Sequence, residues 1–192
     1  MEKTDRKIIV AVTGASGMIY AKLLIERLSQ MIIAPGEIAV VFSDTARRIW
    51  LEETDEEYRP VSPAKLYEND NFFAPFASGS SEYDTMIICP ASMGMLSRIA
   101  NGISGDLTAR SADVMLKERR KLIVVPREAP YNLIHIRNME QLTLAGAIIC
   151  PASPSFYSHP ATIDELVMTV VERIIVLSGF KADTYRWMVD DR

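Results

Sequence analysis

Short apolar runs separated by stretches of helical spacing set the rhythm of this chain. Lys7 to Val12 (KIIVAV), Glu37 to Phe42 (EIAVVF), Thr85 to Cys89 (TMIIC) and Leu122 to Val125 (LIVV) are continuous and mostly rich in β-branched residues. That is the pattern of strands covered on both faces of a parallel sheet. Helices are expected between them, from about Met18 to Ser29 and around Ala46 to Leu51, the second capped by Ser43-Asp44. Gly94 to Arg120 should hold a short helix and then a longer one. A last helix, about Ile163 to Ser178, would bury the stripe Ile163, Leu166, Val167, Val170, Val171, Ile174 and Ile175. Strands alternating with helices specify an α/β fold.

Periodicity fails from Thr54 to Tyr83. With Pro60, Pro63, Pro75 and the run Ser78-Gly79-Ser80-Ser81, this segment is expected to be a long irregular excursion. Phe72, Phe73 and Phe76 within it could cover a pocket or pack beneath the loop.

The strand ends share one chemistry. Ile87-Ile88-Cys89-Pro90-Ala91-Ser92 recurs as Ile148-Ile149-Cys150-Pro151-Ala152-Ser153, and Val124-Val125-Pro126 ends similarly. Proline tolerates a strand terminus and not a central ladder position. Three such ends imply one shared rim, and open α/β sheets bind ligands outside the carboxyl ends of their strands. Arg127 and Glu128 follow Pro126 and are closed off by Pro130, so a charged pair is delivered to that rim on a stiff turn. The first strand ends in Thr13-Gly14-Ala15-Ser16-Gly17, whose small residues let backbone N–H groups approach an anion at a helix N-terminus. It lacks G-x-G-x-x-G, so a phosphate or flavin site and a bare tight turn both remain open. Arg110 and Lys117, seven apart on a helix, share a face suited to an anion, an interface or solvent.

Composition narrows the class. The 192 residues are 48% hydrophobic and 24% charged, enough for one sizeable core, so residues 1–192 are expected to form a single domain. A balance of 21 basic against 25 acidic residues argues against a nucleic-acid surface. No apolar run is long enough for a membrane span, and a cytoplasmic protein is expected. Cys89 and Cys150 read as buried or pocket-lining thiols. Two histidines, His135 and His159, give little support to a metal centre.

TGASG, ICPAS-x-G, ARSADV-x-LKERRKL-x-VVPREAP and PASPSFY-x-x-P, in this order over about residues 7–180, resemble the UbiX-type flavin prenyltransferase family. The resemblance implies a flavodoxin-like, Rossmann-like sheet with helices on both faces and a dodecamer; the tail at about 181–192, which includes Trp187, is expected to form an arm. It implies transfer of a dimethylallyl group from dimethylallyl monophosphate to reduced FMN, without metal. The product, prenylated FMN, would serve a UbiD-type decarboxylase. By motif, Gly14, Ala15, Ser16, Ser43, Ser92, Met93, Gly94, Met95 and Arg127 would contact FMN. Tyr157, Arg173, Lys117 and Arg110 would hold the substrate phosphate, the last two in part from a neighbouring subunit. Glu128 would be the acid/base, with Ser16 and Glu53 as further catalytic residues. The family often has Trp where this chain has Phe72, and a hydroxyl residue where it has Met93. The alternatives are a flavin-dependent decarboxylase of a small aromatic acid or cysteine adduct, and a flavin carrier without chemistry.

Overall fold

The computed structural model describes residues 2–182; Trp187 and most of the expected arm lie outside the described residues. In chain order the elements are β1 Glu2–Lys3, β2 Lys7–Val12, α1 Met18–Gln30, β3 Ile33–Ala34, β4 Glu37–Phe42, α2 Asp44–Thr54, β5 Ala64–Glu68 and β6 Tyr83–Ala91. Next come α3 Met93–Ala100, α4 Leu107–Lys117, β7 Lys121–Pro126, α5 Leu133–Leu144, β8 Ile148–Ile149 and α6 Ile163–Leu177. Six strands form a parallel sheet in the order β5-β4-β2-β6-β7-β8, and β1 pairs β3 in a separate two-stranded ribbon.

Alternation along each strand divides the core. Ile8, Val10 and Val12 face α1 and α6 with Met18, Leu24, Leu28, Val171 and Ile174. Ile9 and Ala11 face the opposite side, with Leu96, Leu107, Met115 and Leu142 of α3, α4 and α5. Because both faces are covered, the strands show no polar alternation.

The excursion is more regular than its sequence. It contains β5, an edge strand pairing β4 from Ile38↔Ala64 to Phe42↔Glu68. Lys65 and Glu68 are exposed and Leu66 only half-buried, so no apolar run marks it. Phe76 is fully buried between Tyr67 and Tyr83, each ring centroid 5.0 Å away. Phe73 is 99% exposed and Phe72 46%. The stripe on α6 begins later than its pattern: Ile163 is 72% exposed, in the first turn before the helix reaches the sheet. Pro90 interrupts a ladder without ending its strand. The β6–β7 register shifts after Ile88 and resumes at Ala91↔Pro126, because proline has no N–H to donate.

Candidate active site

The C-terminal ends of β2, β6, β7 and β8 are stitched together. Thr13, directly after β2, donates its hydroxyl to the Pro90 carbonyl at 2.9 Å and accepts the Ser92 N–H at 2.8 Å. The Arg127 N–H reaches the Ala91 carbonyl at 3.3 Å, and that of Ala152 the Pro126 carbonyl at 3.1 Å. The three proline-marked ends therefore form one rim, as their sequence chemistry predicts. Thr13 is the clasp the sequence reading missed; its signal is a hydroxyl residue just past an apolar run.

Two helix starts face this rim. Ser92 caps α3 by accepting the Met95 N–H, and a Cβ placed on the exposed Gly94 would meet nothing within 4 Å. Ser43 caps α2, accepting the Ala46 N–H at 3.2 Å. Gly14 lies so close to α2 that a Cβ there would stand 2.8 Å from Thr45 Cγ2. Ala15 is buried and Ser16 exposed, and Gly17 takes φ 102°, a conformation that favours glycine.

The N-terminus of α1 already holds an anion, the carboxylate of Glu53. It accepts the Gly17 N–H at 2.9 Å and 3.1 Å, and the Met18 N–H at 2.7 Å. Glu53 thus joins the rim as a carboxylate that caps α1 from the neighbouring helix α2.

Arg127 and Glu128 are both exposed at the end of β7. A Cβ on Gly17 would lie 3.7 Å from Arg127 Cγ, so the arginine stem passes over the TGASG turn. Among the described residues, Glu128 accepts its neighbour's N–H, that of Ala129 at 3.0 Å. Tyr157, 63% exposed, lies on the segment after β8, which is tied to α6 where the Ser155 N–H reaches the Thr169 hydroxyl at 3.0 Å. Arg173, exposed on α6, stands near Cys150; burial pushes that thiol up and the guanidinium draws it partly back. Cys89 is fully buried, its thiol pushed up by desolvation and by Cys150.

Lys117 does not reach this rim within one protomer, and Arg110 is engaged by its own neighbours. Arg110 donates to the Ala77 carbonyl at 3.1 Å and pairs with Asp113. Lys117 pairs with Glu118 at the C-terminal end of α4. It precedes β7 whereas Arg127 follows it, and six strand residues put about 20 Å between the two edges. A cavity of about 750 Å³ between α1 and residues 56–62 also lies away from the rim.

The donor set suits a flavin mononucleotide. It combines small-residue turns, the N-terminus of α3 open at Gly94 to an approaching group, a cation following a strand end and an acceptor carboxylate beside it.

An open parallel sheet with this rim defines a flavodoxin-like flavoprotein. Residues 1–175 match the Flavoprotein family, and the chain belongs within it to the UbiX-type flavin prenyltransferases. The flavin prenyltransferase UbiX of Methanocaldococcus jannaschii is 44% identical over 184 residues, covering 94% of this chain and 98% of that one. A dodecameric FMN-dependent UbiX-like decarboxylase from Escherichia coli O157:H7 superposes with a TM-score of 0.88 at 38% identity, covering 94% and 98%. AnUbiX, solved with FMN and dimethylallyl pyrophosphate, gives a TM-score of 0.87 at 36% identity over 96% and 98%.

Proposed function

We propose that this chain transfers a dimethylallyl group from dimethylallyl monophosphate to reduced FMN, yielding prenylated FMN for a UbiD-type decarboxylase. The observation that carries the reading is the rim itself: Arg127 and Glu128 stand at one strand end beside the TGASG turn, in a chain alike over 96% of its length to a protein solved with FMN and a dimethylallyl ester. Reduced FMN supplies the electron-rich acceptor for the allyl group.

The protein's own residues then have separable tasks. Gly14, Ala15, Ser16, Ser43, residues 92–95 and Arg127 bind the flavin. Arg173 and Tyr157 hold the phosphate from the α6 side. As the allyl C–O bond breaks, its electron pair leaves with the phosphate, and fixed cations stabilise the charge gathering there. Glu128 accepts the proton displaced from the flavin as the new bond forms. Lys117 and Arg110 serve the site of an adjacent copy in a homo-oligomer, Lys117 because it stands at the far edge of its own sheet.

A flavin-dependent decarboxylase would call for a catalytic histidine after the first long loop. Here His135 lies in the capping box of α5, and His159 on the loop before α6. Anaerobic incubation with FMN, a reductant and dimethylallyl monophosphate, followed by mass analysis of the extracted flavin, tests the proposal. A flavin heavier by one C5H8 unit is expected; unmodified flavin would refute it.

A further inference from the structure

Tyr20, in the first turn of α1, has no role in the site drawn so far. It is half-buried against the core beneath α1 and α6. A Cβ on Gly17 would lie 3.1 Å from Tyr20 Cδ2 and 3.7 Å from Arg127 Cγ. The ring edge and the arginine stem therefore share one small patch above the TGASG turn. Their electrostatics agree with that placement: burial raises the phenol above its ordinary value, Cys89 raises it further, and Arg127 pulls it down.

An exposed arginine on a turn has many rotamers, and holding it in one costs up to about 2 kcal/mol of side-chain entropy. A rigid ring packed beside its stem removes much of that loss before a ligand arrives. Tyr20 suits the task. Its backbone is fixed in a helix, while Arg127 N–H is tied to Ala91, so both side chains start from rigid anchors.

We propose that Tyr20 is a positioning residue for Arg127, setting the guanidinium over the TGASG turn in the orientation that receives FMN. This rests on the assignment of Arg127 to the flavin. It makes Tyr20 a determinant of flavin affinity through its ring, with the hydroxyl dispensable.

The test is FMN titration by flavin fluorescence on the assembled protein, with Tyr20→Phe, Tyr20→Leu, Arg127→Ala and the Tyr20→Leu/Arg127→Ala double variant. Tyr20→Phe should match the parent. Tyr20→Leu should weaken FMN by about three- to tenfold, part of the rotamer freedom that an unguided arginine stem regains. The double variant should bind no more weakly than Arg127→Ala alone, because an effect transmitted through Arg127 vanishes with it. Should Tyr20→Leu lower the thermal midpoint, Tyr20→Met fills the space with a flexible chain and is expected to give the same loss of affinity. Multiplying effects in the double variant, unchanged affinity in Tyr20→Leu, or equal losses in Tyr20→Phe and Tyr20→Leu would each overturn the proposal. The readout needs no prenyl donor. A protein that shows this pattern yet leaves flavin unmodified would uphold Tyr20 and sink the transferase reading.

Discussion

Glu53 of α2 caps α1 in place of any side chain on Gly17, its carboxylate taking the backbone N–H groups of Gly17 and Met18. The N-cap glycine has no side-chain oxygen to offer, so the positive end of α1 is satisfied from the neighbouring helix. Replacing Glu53 with Ala should cost about 1 kcal/mol, the usual value of a cap, and Glu53→Gln less, because the amide oxygen still accepts. Thermal unfolding of the two variants checks the order.

This contact shows where sequence reading runs out. Lys7–Val12 and Glu37–Phe42 are strands with the expected bounds, because burial on both faces leaves an uninterrupted apolar run. The Arg127-Glu128 turn was equally legible, since prolines bracket it. Glu53 was placed in the pocket by resemblance, yet its partner is 36 residues away and no local pattern announces such a pairing. The strand Ala64–Glu68 was hidden for another reason: at a sheet edge, polar residues are tolerated and period-two alternation blurs. Tyr20 falls inside the expected first helix with nothing local to mark it, and its approach to Gly17 and Arg127 gives it another meaning.

Acid should weaken the fold through Glu37. Burial pushes this carboxyl up, but Lys65, Tyr83 and Tyr67 all donate to it and hold it below its ordinary value. A group depressed in the folded state adds stability above its unfolded value, and loses it as pH falls through the folded one. Stability is therefore expected to decline through and below the usual carboxylate range. Glu37→Gln should be less stable than the parent at neutral pH and flatter in acid, as urea titrations at several pH values would show.

Glu128→Gln keeps the shape and hydrogen bonding of the acceptor but cannot take a proton. FMN and the prenyl donor should bind nearly as in the parent, while formation of prenylated flavin falls about 10²- to 10⁴-fold. Single-turnover absorbance on FMN-saturated protein measures this, and turnover within a few fold of the parent would remove Glu128 from the chemistry.

The two ends of the pocket should separate by mutation. Arg173→Ala and Tyr157→Phe are expected to weaken the prenyl phosphate more than FMN, because hydrogen bonds to a charged group contribute about 1.5–3 kcal/mol. Release of FMN with an intact affinity for the donor would reverse the assignment.

Lys117 offers a test of shared sites. If it serves a neighbouring copy, Lys117→Ala and Glu128→Gln proteins, each nearly inactive alone, should regain partial activity when dissociated and reassembled together, since some sites then hold both native residues. Failure of mixed assemblies to exceed either parent would place Lys117 outside the site.

The α5 helix bears on how the protomer persists at all. Leu133, Ile134, Ile136 and Leu144 are each at least half exposed, beside the two-residue edge strand β8. Covering such side chains is worth about 25 cal/mol per Å², and that gain exists only when another molecule supplies the cover. Where a second copy supplies that cover, mass action enters the folding equilibrium: dilution withdraws stabilisation and concentration restores it. A melting temperature that rises with protein concentration is then expected, and thermal unfolding at several dilutions reads it.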